Sequence, residues 1–108
     1  MLVAGKEIAL DPEGFLKDIA DWSELVARAL AEAEGIELTQ AHWQVLYLLR
    51  EFYDAFALSP ATRALVKYAG ARLGPELGNS TQLNLLFKGR PAKLGAKLAG
   101  LPKPPNCI

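Results

Sequence analysis

The sequence predicts a single, mostly α-helical domain of five to six helices, with a small N-terminal β-hairpin and a proline-rich C-terminal arm. Three observations carry that prediction. The chain has 108 residues, one domain's worth. Apolar residues recur at helical spacing through most of it. Pairs such as Asp11-Pro12, Ser59-Pro60 and Gly74-Pro75, with single glycines at 35, 89 and 100, cut the chain into helix-sized pieces. Apolar types make up 51% and charged types 22%, a globular rather than a disordered composition.

Leu2 to Leu10 reads as two short strands around a turn at Ala4-Gly5, where glycine supplies the positive φ of a tight hairpin. A lone hairpin is marginal in water, so it must lie on the helical body. Asp11 is the expected N-cap, and Pro12 the first residue, of a short helix with Phe15, Leu16 and Ile19 on its apolar face. A second helix, about Ser23 to Glu34, carries Leu25, Val26, Ala29, Leu30 and Ala33 and stops at Gly35. Thr39 caps the longest helix, Gln40 to Ala57. Its apolar side (Trp43, Leu46, Tyr47, Leu49, Phe52, Tyr53, Phe56) is wide enough for the central core helix. Ser59-Pro60 opens a fourth helix through Leu73. Gly78-Asn79-Ser80 caps a short one with Leu83, Leu86 and Phe87 inward, and the last runs from Pro91 to about Ala99. Residues 1–100 therefore form the body and 101–108 the arm.

Composition excludes several functions. Twelve basic and twelve acidic residues cancel, so no overall charge draws the chain to nucleic acid or to a membrane surface. One Cys and one His rule out an internal disulfide and leave few metal ligands besides carboxylates. No apolar run approaches the about 20 residues that span a bilayer, and the N-terminus lacks the layout of a signal peptide. A cytoplasmic monomer without metal or cofactor is the expectation.

The zero net charge hides a division. Residues 1–58 hold 11 acids and 4 bases, whereas residues 59–108 hold 1 acid, Glu76, and 8 bases. Such a dipole orients a protein toward a partner at low salt. The simpler reading is that the two halves pack together and neutralise each other.

Cys107 is the informative residue. A lone cysteine is ordinarily a small buried hydrophobe, but this one stands second from the end, after Pro102, Pro104 and Pro105. Prolines favour an extended polyproline form, which from Pro102 to Ile108 spans about 20 Å at roughly 3.1 Å per residue. The segment reads either as a semi-rigid arm that delivers a thiol into a partner's active site at reduced entropic cost, or as an unstructured tail that ends in Cys. The adjacent C-terminal carboxylate disfavours thiolate, so Lys103 or a partner must help to ionise it.

At these residues the chain resembles the DsrC/TusE family of sulfur carriers, over nearly its whole length. The matching pieces are the Gly5-Lys6 hairpin, Gly14-Phe15-Leu16, Asp21-Trp22, Gly35 to Thr39 with His42-Trp43, Leu49 to Tyr53, Ser59-Pro60, Gly74-Pro75-Glu76, Gly78-Asn79-Ser80 and Leu86-Phe87. The most diagnostic is the ending, Gly100 to Ile108. The resemblance implies a sulfur relay in which Cys107 takes a sulfane sulfur from an upstream, TusBCD-like carrier complex and holds it as a persulfide. In the TusE branch the sulfur passes to the enzyme that thiolates the wobble uridine of certain tRNAs, so tRNA is met only indirectly. Family members that serve dissimilatory sulfite reductase carry a second cysteine eleven positions before the penultimate one, where this chain has Ala96. That departure, with the short stretch from Gly74 to Ser80, favours the single-thiol relay. Service in sulfur oxidation or sulfite reduction, or a regulatory role like that of other one-cysteine relatives, is the alternative.

Other residues weigh less. Ser59-Pro60 between two helices, with Arg63, Lys67 and Arg72 on the second, loosely matches a DNA-binding helix-turn-helix; a solvated face on a helical hairpin is the plainer reading. His42 is the one imidazole available as a base for Cys107, but three residues after Thr39 it reads as cap-adjacent. The aromatic residues at helical spacing read as core, and Glu32, Glu34 and Glu37 meet no second acidic cluster. Arg90, Lys93, Lys97 and Lys103 flank the arm as a docking rim for an acidic partner or, equally, as solvated basic side chains.

Overall fold

The computed structural model describes residues 1–105. The N-terminal hairpin pairs β1 (Leu2–Val3) with β2 (Lys6–Glu7) in the register Leu2↔Glu7 and Val3↔Lys6. Ala4 and Gly5 both take positive φ, 49° and 82°, the geometry that matches a two-residue turn to the twist of its strands. Ile8 follows and is fully buried, which ties the hairpin to the body.

The expected helix after Asp11-Pro12 does not form. The Asp11 carboxylate accepts the N–H groups of Glu13 and Phe15, both at 2.9 Å, and Gly14 at φ 90° turns the chain back. Leu10 then pairs with Leu16 in an isolated antiparallel bridge. The Asp-Pro signal is real, but it caps a tight loop that drops Phe15 into the core. A single 3-10 turn, Ile19–Asp21, follows under an Asp18 cap.

Five α-helices complete the described residues: α1 (Glu24–Ala33), α2 (Gln40–Phe56), α3 (Thr62–Leu73), α4 (Ser80–Leu86) and α5 (Pro91–Leu98). Side chains of Ser23, Thr39 and Asn79 cap α1, α2 and α4 by accepting N–H bonds from Val26, His42 and Gln82. α3 differs from expectation. It starts at Thr62 behind Ala61, which offers no side-chain cap, because the Ser59 hydroxyl is engaged elsewhere.

The centre of the molecule is α5, where the sequence points to α2. Helices α1, α2, α3 and α4 all pack against it, and Pro91, Ala92, Leu94, Gly95, Ala96 and Leu98 are buried. Small residues make this possible. A Cβ on Gly95 would stand 3.0 Å from Leu49 Cδ1, so α2 approaches the α5 backbone directly. On α2 the inward face is Val45, Leu46, Leu48 and Leu49 with His42, while Tyr47 and Phe56 are about half exposed. Its aromatic residues line the flank: Phe52, Phe56 and Tyr68 of α3 form one cluster, and Trp22, Tyr47 and Trp43 another.

Candidate functional site: the root of the C-terminal arm

Cys107 lies outside the described residues. The structure does describe the segment from which it departs. At the end of α5 the Leu101 N–H bonds to the Ala96 carbonyl and the Gly100 N–H to that of Lys97. This is a Schellman closure with Gly100 at φ 74°. It leaves the Leu98 and Ala99 carbonyls without local donors, and side chains from two distant parts of the chain supply them. Trp22 Nε1–H donates to Leu98 at 2.9 Å and an Arg50 Nη1–H to Ala99 at 2.7 Å.

The two donors also support each other, because the Arg50 guanidinium lies 4.3 Å above the Trp22 ring. Burial lowers the pKa of Arg50 from its ordinary value, with Asp54 and Tyr47 acting the other way. Gly100 fits only because it lacks a side chain. A Cβ there would fall 2.4 Å from Trp22 Cδ1.

One residue further on, Leu101 is buried, and the Pro102 carbonyl accepts the Ser59 hydroxyl at 2.6 Å. Lys103 then bonds to Glu13 at 3.1 Å, and Pro104 is buried. The described part of the arm thus lies against the body, held by Trp22, Arg50, Ser59 and Glu13.

Each expected rim residue meets a carboxylate of the acidic half, Lys97 and Lys103 beside the root and Arg90 at the opposite, N-terminal end of α5. Lys93 and Lys103 share Glu13, at 3.5 and 3.1 Å. Lys97 and Arg90 share Glu34, at 2.6 and 3.8 Å, and Lys88 reaches the Glu34 carbonyl. The hydrogen bonds from Lys103 and Lys97 hold the Glu13 and Glu34 carboxyls below the ordinary range. Of the seven ion pairs among the described residues, five join residues 1–58 to residues 59–108; the charge division closes on itself.

His42 is structural. Its Nδ1 accepts the Thr39 N–H at 3.0 Å, which places the ring proton on Nε2, and Nε2–H donates to the Leu86 carbonyl at 2.8 Å. The ring is buried against Phe87 and completes the cap of α2. On α3, Arg63 and Lys67 are exposed, whereas Arg72 is bound to Glu51 and lies over Tyr68. Ala96, at the position of the second family cysteine, is fully buried. Among the described residues no three His, Cys, Asp or Glu side chains gather as a metal site, and no helix is long and apolar enough to cross a membrane.

Sequence reasoning singled out Cys107 and the basic rim and missed the holders of the root. Ser59 reads as a helix cap, Trp22 as core, and Arg50 carries no assignment. Their contacts span 43, 76 and 49 residues, a separation that no local pattern records.

Comparison with known proteins covers this whole architecture. The family model described as DsrC like protein matches residues 2–108. The chain is 51% identical over 108 residues to "Sulfurtransferase TusE" of Salmonella choleraesuis (strain SC-B67), covering 100% of this chain and 99% of the relative. It is 48% identical over 106 residues to the "Sulfurtransferase TusE homolog" of Haemophilus influenzae, covering 98% and 97%. Among solved structures, Allochromatium vinosum DsrC superposes with a TM-score of 0.91 at 44% identity, over 100% of this chain and 96% of that one. The oxidized DsrC γ-subunit of dissimilatory sulfite reductase from Archaeoglobus fulgidus gives 0.83 at 39% identity, over 98% and 96%. The fold as a whole is therefore that of a known group, and the chain belongs to the DsrC-like family.

Proposed function

We propose that the protein is a single-thiol sulfurtransferase of the TusE type, which carries sulfane sulfur on Cys107 toward tRNA 2-thiouridine synthesis in the cytoplasm. The full-length match, 51% identical to a sulfurtransferase TusE, carries this reading. In chemical terms the Cys107 thiolate attacks the outer sulfur of a donor's cysteine persulfide. The donor's S–S bond breaks, its cysteine leaves as thiolate, and a new S–S bond forms on Cys107. The thiol proton passes to solvent and on to the departing thiolate, and no net oxidation occurs. Transfer to the acceptor repeats the step in the other direction. The protein works as a carrier, with body 1–100 and arm 101–108, and its partners supply most of the catalysis.

The upstream partner is a TusBCD-like complex and the downstream partner a tRNA thiolase. Arg90, Lys93, Lys97 and Lys103 form the docking rim, where partner carboxylates exchange with Glu13 and Glu34. The likeness to DsrC proteins favours a second reading, service to a sulfite reductase. With Ala96 in place of the second cysteine, a cycle that needs two thiols lacks one of them.

Intact mass after incubation with a persulfide-loaded donor complex tests the relay. A gain of one sulfur in the natural chain and none in Cys107→Ser is the expected result. A chain that stays unmodified overturns it.

A further inference from the structure

We infer that Ser59, backed by Arg50 and Trp22, is a positioning residue that fixes the course along which the first arm residues, 101–104, run over the body. The inference rests on the relay reading for its purpose, but its geometry stands on the described residues alone.

The Schellman closure at Gly100 already terminates α5, and Trp22 and Arg50 satisfy the two carbonyls it leaves over. Nothing in helix termination requires a further bond. The Pro102 carbonyl lies beyond the helix and outside its hydrogen-bond ladder. Yet a buried hydroxyl from the α2–α3 connection reaches it at 2.6 Å. That donor is held in place, because Ser59 is itself buried and precedes the buried Pro60, whose ring fixes its own φ and biases Ser59 toward extended backbone. The bond adds no closure to the helix; it adds a third fixed point to the segment beyond it. Three points, at Leu98, Ala99 and Pro102, define a direction where one would leave a swivel.

Cys107 stands three residues beyond the buried Pro104, so the chain can carry it no more than about 11 Å from that residue at roughly 3.3–3.6 Å per residue. A partner's reacting sulfur must therefore sit no deeper than this below a rim placed over Ser59, Glu13 and Lys103. Fixing the segment up to Pro104 limits the volume that the chain length lets the thiol reach, which raises its effective concentration at a docked partner's site.

The single cysteine allows a direct test. A nitroxide on Cys107 of the full chain broadens backbone amide signals wherever the arm's tip visits. In the natural chain the broadening should fall on one face, around the root. In Ser59→Ala it should spread to other faces, while Ser59→Thr, which keeps the hydroxyl, should restore the confined pattern. Sulfur loading gives the second readout. Inorganic polysulfide, which needs no docking, should load Ser59→Ala within about twofold of the natural rate. The persulfide-loaded donor complex at saturation should load it about tenfold more slowly, with the half-saturating concentration little changed. Arg50→Lys, which loses the planar stack on Trp22, gives the same comparison should Ser59→Ala fail to fold. A broadening pattern in the folded variants identical to the natural one overturns the inference, as does an equal loss of loading from both donors. If the natural chain takes sulfur from neither donor, the relay reading fails instead, and the broadening pattern still decides whether the course of residues 101–104 is fixed.

Discussion

α3 and α5 end on similar sequence: a glycine with positive φ, then a proline one or two residues on (Gly74-Pro75 and Gly100-Leu101-Pro102). Their surroundings are opposite. α3 buries only Leu65 and Ala69, begins without a side-chain cap, and leads into a loop in which no residue from 74 to 79 is fully buried. α5 is buried along most of its length, and side chains from three remote segments take up the carbonyls at and beyond its end. The same local stop signal thus serves a peripheral helix in one case and the base of the segment that leads to Cys107 in the other. What separates them is tertiary hydrogen bonding, and the more extensively bonded end is the one that leads to Cys107.

Substituting the two glycines should sharpen the contrast most. Gly74→Ala meets no atom within 4 Å and bears only the cost of its backbone conformation, about 1–3 kcal/mol. Gly100→Ala bears a similar cost and must also displace the Trp22 ring, for a total of about 3–5 kcal/mol. Denaturant unfolding of both variants checks this; equal losses would mean that Trp22 yields freely and the root is loosely held.

An intermediate effect is expected at Glu34, which ties α1 to α5 through Lys97. Glu34→Gln should cost about 1–2 kcal/mol at neutral pH. The folded-state pKa of Glu34 is lowered, chiefly by the Lys97 hydrogen bond, so the charged pair contributes in full above the ordinary carboxylate pKa. That contribution fades as pH falls through the lowered folded value. The stability gap between the natural chain and the variant should close in acid, and a gap independent of pH would contradict the pairing. The smallest effect is a gain. Ala61 has extended N-cap geometry but no side-chain acceptor, so Ala61→Ser should raise stability by about 0.5–1 kcal/mol in thermal unfolding.

Much of the fold is legible where a local signal has a single use. Ser23, Thr39 and Asn79 cap the helices they appear to cap, and Gly5 makes the hairpin turn. Legibility fails where a signal has two uses. Asp11 serves a loop as well as a helix, and Gly14 decides for the loop. Ser59 is drawn from capping duty by a carbonyl 43 residues away. The aromatic residues of α2 form a stripe broader than one buried face, so Tyr47 and Phe56 finish outside it. α5 looks minor in sequence because it is short and rich in Ala and Gly, and that smallness is what admits four helices around it. The site follows the same rule: Cys107 stands out by position alone, whereas the residues that hold its root become visible only in three dimensions.

The placement of α5 also bears on how the molecule is made. α2 and α3 also pack on each other, but all four helices meet only at residues 91–98, so until that segment is made the faces they turn to it stay uncovered. Stable tertiary structure must wait for that segment to clear the exit tunnel. Nascent chains stalled before it should therefore be protease-sensitive and chaperone-bound, and those stalled after it compact.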